Sequence, residues 1–505
     1  MSARAQKYFD ENAPHAGLGR HSLHSGVAFL AARGVNIIVQ VSSTILLARL
    51  LTPQDYGLVA MVFALIGFAP MLIDLGTTDA TVQKGRITHA EASALFWLKV
   101  AIGATLAVLL AGGSEFIAVF YGESALTGIA IASSVTLVMA ALSSQHFALM
   151  RRAMQFRQIA AIDITANVVS SIIAITMALT GWGYWALVAK PILTTTLSAI
   201  AAWVICPWVP GRPRYCSGSA EMLRFGLGVT GFTMTDYWAK SADRISLGYF
   251  YGAGPLGYFQ NAFLLYDNFL GVFTQLHDVA VSSLSKLRSD LSELKRSWAA
   301  ALSSLTFFSA GGFAVLAVTA EDFVVLLLGQ KWTLAGPLVC IFAVKGIAHV
   351  TERTLGWLHV AAGRSDRWMR WGVFSAICQL VAVLSAVPFG LQGVAAAHAM
   401  VTFCLFIPAL AYAGQPLGIG AGDVLRTVGP QTLAALITVL SGFAIEREFL
   451  ADLPQLTRFL VSVPMCLAIY LVLIAGVFRV TAPLYLAFSL VRHYLPVPFR
   501  VRRDQ

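Results

Sequence analysis

The stretch Ala48–Gly57 reads A-R-L-L-T-P-Q-D-Y-G and separates two apolar segments, at about 26–50 and 57–80. Segments of that length can cross the hydrocarbon core of a bilayer. Pro53 and Gly57 are residue types that stop and restart helices, so the stretch predicts a helical hairpin. Asp55 is placed to accept backbone N–H groups where the second helix opens, and Arg49 and Asp55 are expected to close the hairpin at its rim rather than touch a ligand. A similar break, Y-F-Y-G-A-G-P-L-G, occupies 249–257. Gly57 and Gly257 are 200 residues apart, which suggests two halves built alike.

Composition agrees with a membrane protein. Of 505 residues, 57% are hydrophobic and 12% charged, against about 45–50% and about 25% in soluble domains. The six cysteines form no CxxC pair, so neither a disulfide framework nor a zinc site is indicated. A net charge of +10 would suggest nucleic acid in a soluble chain. Here the basic residues gather at the ends of apolar segments, which membrane orientation explains better, and no nucleic-acid partner is expected.

Apolar blocks fall at about 26–49, 57–80, 94–112, 126–149, 159–180, 184–205, 222–247, 257–280, 300–320, 334–359, 371–388, 391–412, 427–445 and 458–478. The expectation is an all-α integral membrane protein with about 14 transmembrane helices. Alternate connections are basic, at Lys84 and Arg86, Arg151 and Arg152, Arg212 and Arg214, Lys286 and Arg288, and Arg364 and Arg367. The opposite side carries Arg49, Lys331 and Arg447 together with Asp55, Glu115, Glu123, Glu321, Asp322, Glu446, Glu448 and Asp452. The positive-inside bias then puts both termini in the cytoplasm. No signal peptide is read in residues 1–25, and 482–493 reads as an interfacial helix or a frayed helix end. Trp97, Tyr121, Trp182, Tyr184, Trp185, Trp203, Trp208 and Trp332 mark segment edges and read as an interfacial belt. Connections are short, and neither HExxH nor a P-loop is present, so an enzyme is not expected.

Polar residues inside apolar segments are costly and usually face a bundle interior or a wet cavity. They fall here at helical spacing. Arg33, Asn36, Gln40 and Thr44 share a face of the first segment, and Asp163, Asn167 and Ser170 a face of the fifth. Asp236, Lys240, Asp243 and Arg244 follow in the seventh, Asp267 in the eighth, and Lys345, His349, Glu352 and Arg353 in the tenth. Arg33, Lys240, Arg244 and Lys345 are candidates for holding an anionic group, with Asn36, Gln40, Asn167, His349 and Glu352 as further cavity residues. Asp74, Asp163, Asp236 and Asp267 are carboxylates through which a proton or Na⁺ gradient could act; no other cofactor is indicated. The alternative is that pairs such as Asp236 with Lys240, or Lys345 with Glu352, only lock helices together. Lys190 is noted because Pro191 follows it, where a helix can kink and free a carbonyl.

Two segments resemble the polysaccharide-exporter and O-antigen flippase branch of the multidrug/oligosaccharidyl-lipid/polysaccharide superfamily. They are S-S-T-I-L-L-A-R-L-L-T-P-Q-D-Y-G-L-V-A-M-V at Ser42–Val62 and D-R-I-S-L-G-Y-F-Y-G-A-G-P-L-G-Y-F-Q-N-A at Asp243–Ala262. The resemblance implies two pseudo-symmetric six-helix lobes in a V shape plus two C-terminal helices. On that plan 1–25 is a cytoplasmic N-terminal segment, 26–205 the N-lobe, and 206–221 a cytoplasmic linker. The C-lobe is 222–412, the last two helices 413–478, and the basic cytoplasmic tail 479–505. The resemblance also implies a substrate, an undecaprenyl-pyrophosphate-linked oligosaccharide turned over from the cytoplasmic to the periplasmic leaflet of a bacterial inner membrane. Membrane lipids, a polysaccharide polymerase and a chain-length regulator are the expected partners. A cation-coupled multidrug exporter of the same superfamily is the alternative.

Overall fold

The computed structural model describes residues 8–9, 18–212, 234, 237–238, 241–285, 291–362 and 364–480, with the side chains of 18–33, 274–285, 291, 360–361 and 365 outside the description. Among the described residues there is no β-strand. Helices satisfy their own backbone groups without water, which is what a chain this apolar needs inside a bilayer. Ten segments of the described chain are long and apolar enough to cross a membrane. One of them, Asp366–Leu417, contains two helices. Most of the apolar block expected at 222–247 lies outside the described residues, as do the tail and the 482–493 segment.

Two compact units divide the chain. The first comprises Met1–Asn261, Leu327–Trp332 and Gln379–Leu391. Its helices are α1 (Leu18–Leu50), α2 (Pro53–Ile66), α3 (Ala69–Asp74), α4 (Thr77–Gln83), α5 (His89–Gly112), α6 (Ser114–Tyr121), α7 (Ala125–Arg152), α8 (Phe156–Leu179), α9 (Trp185–Ile205) and α10 (241–251), with the start of α11 (Ala253–Ser285). Within it α5 packs on α7, α9 on α7 and α8, and α1 on α8.

The hairpin predicted at Ala48–Gly57 is present, and its chemistry is visible. Thr52 is the N-cap of α2: its hydroxyl accepts from the Asp55 N–H, and the Asp55 carboxylate accepts from the Thr52 N–H at 2.8 Å. This reciprocal capping box satisfies two donors that the helix start would otherwise leave bare. Asp55 therefore acts from the third helical position rather than as the cap itself. The last carbonyls of α1 are also used. Trp332 Nε1 donates to Ala48 O at 2.8 Å, Lys331 Nζ to Leu51 O at 2.7 Å, and Arg49 Nε to Leu327 O at 2.8 Å. A cation at a helix C-terminus also meets the negative end of the helix dipole. Thr52→Ala is expected to cost about 1 kcal/mol, read as a lowered thermal midpoint in detergent, while Thr52→Asp keeps most of the stability.

The two glycine motifs meet. A Cβ on Gly57 would lie 1.7 Å from Ala253 O, and one on Gly257 would lie 1.8 Å from Pro53 O. Each glycine faces the backbone four residues before its counterpart, so the relation is reciprocal and places α2 against the start of α11 at backbone distance. Tyr56 and Tyr258, one from each motif, both pack edge-on against the fully buried Trp332.

Two expectations need correction here. The span expected as one helix over 57–80 is broken into α2, α3 and α4. Pro70 has no N–H to give, and Leu75 and Gly76 both adopt left-handed backbone, at φ 45° and 65°. The belt reading also fails at Trp208 and Trp332, which are buried rather than interfacial. Trp208 packs with Phe96, His146 and His89. Trp182, by contrast, is exposed.

The second unit comprises Ala262–Leu326, Thr333–Cys378 and Gln392–Gln505. It holds most of α11, then α12 (Leu291–Val318), most of α13 (Ala320–Leu328), α14 (Gly336–Arg353), α15 (Leu355–Ala362), the first part of α16 (Ser365–Ala386), most of α17 (Gly390–Gly414), α18 (Ala421–Ile445) and α19 (Gln455–Val472). Helix α12 packs against α14, α18 and α19. The turn expected between 388 and 391 is there: a 3₁₀ turn over Val387–Phe389 ends at Gly390, at φ 74°. The block expected at 334–359 is interrupted at Thr354, between α14 and α15.

Candidate functional site

The polar stripes of α1, α8 and α9 form a seam in the first unit. Asn167 Nδ2 donates to Asn36 Oδ1 at 2.7 Å, joining α8 to α1. Ser170 and Thr194 hydroxyls are 2.6 Å apart, joining α8 to α9. Lys190 Nζ donates to Ser43 Oγ at 2.6 Å, joining α9 to α1, and Ser43 passes the bond to Gln40 O at 3.0 Å. Among the described residues no carboxylate lies within ion-pair distance of Lys190. An ammonium held by a hydroxyl rather than a carboxylate keeps its charge available to an anion. The α1 and α8 stripes thus meet as their spacing predicts, with the Gln40 side chain exposed. Lys190, noted in the sequence only for its proline, supplies the cation.

A second cluster follows from the broken helix. The turn after α3 presents Asp74, whose carboxylate accepts from Thr78 Oγ1 and from Lys99 Nζ, the latter at 3.0 Å. Lys99 also donates to Thr78 Oγ1 at 3.3 Å and Ser144 Oγ at 3.0 Å. Its three protons are all used, and it is 1% exposed. Lys99 therefore reads as a structural charge. It is legible as a lone lysine five residues past the start of the apolar block at 94–112, and the sequence reading missed it.

In the second unit Lys345 and His349 lie one turn apart on α14. Lys345 Nζ sits 5.5 Å from the centre of the Tyr266 ring, a cation–π distance. The Tyr266 hydroxyl is 2.5 Å from His349 Nδ1, with the two rings stacked. Tyr266 is buried and was not anticipated. Glu352, one turn further, is half-buried.

Three of the other predicted residues cannot be placed by their side chains. Arg33 lies on α1 with its side chain outside the described residues, and Asp236 and Lys240 fall wholly outside them. Arg244 is half-buried on α10, its N–H donating to Asp243 Oδ1 at 2.6 Å. Asp163 and Asp267 are exposed.

Residues 46–337 match the model of a family described as polysaccharide biosynthesis protein. The chain belongs to that family. Its relatives include the lipopolysaccharide biosynthesis protein WzxC of Escherichia coli K12, 23% identical over 80% of this chain and 77% of the relative. The teichuronic acid biosynthesis protein TuaB of Bacillus subtilis 168 is 24% identical over 73% and 77%, and the succinoglycan biosynthesis transport protein ExoT of Rhizobium meliloti 1021 is 23% identical over 71% and 72%. Among solved structures, the lipid II flippase MurJ in an inward closed conformation matches with a TM-score of 0.73 at 14% identity, covering 90% of this chain and 99% of that one. An inward-facing multidrug resistance transporter matches with a TM-score of 0.61 at 12% identity, covering 78% and 98%. The chain is therefore a multi-pass membrane protein of the polysaccharide biosynthesis family, with a fold like that of MurJ.

Proposed function

We propose that this polysaccharide biosynthesis protein turns an undecaprenyl-pyrophosphate-linked oligosaccharide from the cytoplasmic to the periplasmic leaflet of a bacterial inner membrane. The observation that carries the reading is Lys190: a cation in a membrane-spanning helix, hydrogen-bonded to a hydroxyl and with no described carboxylate at ion-pair distance. Unpaired charge in such surroundings is costly unless an anion compensates it. A pyrophosphate is such an anion. Lys345, beside Tyr266 and His349, and Arg33, Lys240 and Arg244 are the further cations proposed to meet it, with Asn36, Asn167 and Glu352 among the polar residues around them. No covalent step is needed. Two lobes that open alternately to either side shield the headgroup while the lipid tail remains in the bilayer.

The ends of the first unit support the orientation. At one end Arg152 donates to the carbonyls of Thr81, Lys84 and Gly85, and Lys84 pairs with Glu91. The opposite end carries Asp55 and the contact of Gln54 with Glu123. Arg49 and Lys331 also lie at the Asp55 end, so the support is a bias of basic residues toward the Arg152 end, which suits cytoplasmic termini. A proton or Na⁺ gradient acting through Asp74, Asp163, Asp236 or Asp267 is proposed to reset the cycle, and a polymerase and a chain-length regulator to act on the delivered sugar.

Removing the protein from its bacterium is expected to make one lipid-linked oligosaccharide accumulate on the cytoplasmic face. Lys190→Gln, inserted at normal level, is expected to restore transport about tenfold less well than the unmutated protein, the loss of one charge-assisted contact. Lys190→Arg keeps the charge and restores more. No accumulation on removal would refute the flippase reading, and full rescue by Lys190→Gln would refute the role of Lys190.

A further inference from the structure

The second unit contains a cavity of about 430 Å³. Its charged lining is Glu321, Asp322, Glu446, Arg447 and Arg458, and its apolar lining includes Val318, Pro337, Ile341 and Phe443. These residues come from the C-terminal ends of α12 and α18 and from the chain starting α13, α14 and α19. The lining joins the end of α12 to the start of α13 and the end of α18 to the start of α19, so the cavity lies at the ends of these helices, which places it at a membrane interface.

Inside it, the charges have separate tasks. Arg458 Nε donates to Asp322 Oδ2 at 2.6 Å, and its second nitrogen to Asp322 Oδ1. Glu446 Oε1 is further away, at 3.7 Å from Arg458. The bidentate bond commits Arg458 to the buried Asp322. The charged lining outside that bidentate bond is Arg447, Glu321 and Glu446. From Phe443 an exposed apolar stripe runs down α18 through Leu440, Ile437 and Leu433, each three or four residues from the last. A guanidinium, two carboxylates and an apolar track match a headgroup with one phosphate and one ammonium, followed by acyl chains.

We propose that this cavity holds a membrane phospholipid with a zwitterionic, primary-amine headgroup. The phosphate lies on Arg447, the ammonium donates to Glu321 and Glu446, and one acyl chain follows the α18 stripe. An anionic glycerol headgroup would bring its phosphate to the same carboxylates with no ammonium to answer them. The site is distinct from the Lys190 seam and does not depend on the substrate carried.

The test uses the full-length protein in nanodiscs of equal parts phosphatidylethanolamine and phosphatidylglycerol. Lipid retained after detergent stripping is counted by native mass spectrometry. The unmutated protein is expected to retain phosphatidylethanolamine about tenfold over phosphatidylglycerol, the discrimination that one charge-assisted contact supplies. Glu321→Gln, at an exposed position, should abolish the preference while leaving Arg447 to hold the phosphate, and Ile341→Trp, which fills the cavity, should abolish it as well, in protein that stays monodisperse. Equal retention of the two lipids by the unmutated protein overturns the proposal. So does a preference that survives in Glu321→Gln, whether or not Ile341→Trp folds.

Discussion

Gly57→Ala and Gly257→Ala are each expected to destabilise the protein by about 3 kcal/mol, at the upper end of what overpacking costs. Two effects oppose each other. Alanine favours an exposed helix interior over glycine by up to about 1 kcal/mol. Against that, the new methyl would sit 1.7 Å or 1.8 Å from a backbone carbonyl oxygen, which cannot rotate away as a side chain can. The helices must separate, and the clash wins. Moving α2 and α11 apart relieves both clashes at once, so the double variant should lose less than the sum of the single losses. Gly271→Ala is the control: a Cβ there meets nothing within 4 Å, and stability should rise slightly. Thermal unfolding in detergent, followed by tryptophan fluorescence, reads all four. Single alanine variants that unfold at the unmutated midpoint would contradict the close crossing.

The Asp74–Lys99 pair is expected to be asymmetric. Asp74→Asn leaves an ammonium at a position 1% exposed with no carboxylate beside it, and breaking a buried pair this way costs about 3–5 kcal/mol. Lys99→Met leaves a carboxylate that is 32% exposed and still accepts from Thr78. That side chain reaches water, so the loss should be smaller, about 1–2 kcal/mol. Asp74→Asn with Lys99→Met removes both charges and should recover part of the larger loss. Unfolding midpoints in the opposite order would show that Lys99 is better solvated than its surroundings indicate.

What was legible in the sequence followed from local chemistry. The hairpin at Ala48–Gly57 and the turn at Pro388–Gly390 carry proline and glycine where the chain must turn. The α1 and α8 stripes are legible because 3.6-residue spacing puts Asn36 and Asn167 each on a polar face, and the two faces meet. Two kinds of feature were not legible. The break at Leu75–Gly76 depends on a leucine in left-handed backbone, which no periodicity announces. The partners of isolated charges were also hidden. Lys99 and Asp74 are brought together by that break, and Asp322 and Arg458 are 136 residues apart. Trp208 and Trp332 misled because an indole at a segment edge looks the same whether it meets headgroups or a carbonyl such as Ala48 O.

The seam of α1, α8 and α9 supplies one cation, Lys190, with no described carboxylate at ion-pair distance, and Lys345 is a second cation, beside Tyr266 and His349. The proposed transport rests on such cations meeting a pyrophosphate. The most direct test is flipping by the purified protein in liposomes, using a labelled oligosaccharide on undecaprenyl pyrophosphate and an impermeant enzyme that cleaves only outward-facing sugar. The unmutated protein should expose the inner-leaflet pool far faster than empty liposomes do. Lys190→Gln and Lys345→Gln, matched for reconstituted protein, should each be slower by about tenfold. A rate equal to that of empty liposomes, or both variants flipping at the unmutated rate, would contradict the account.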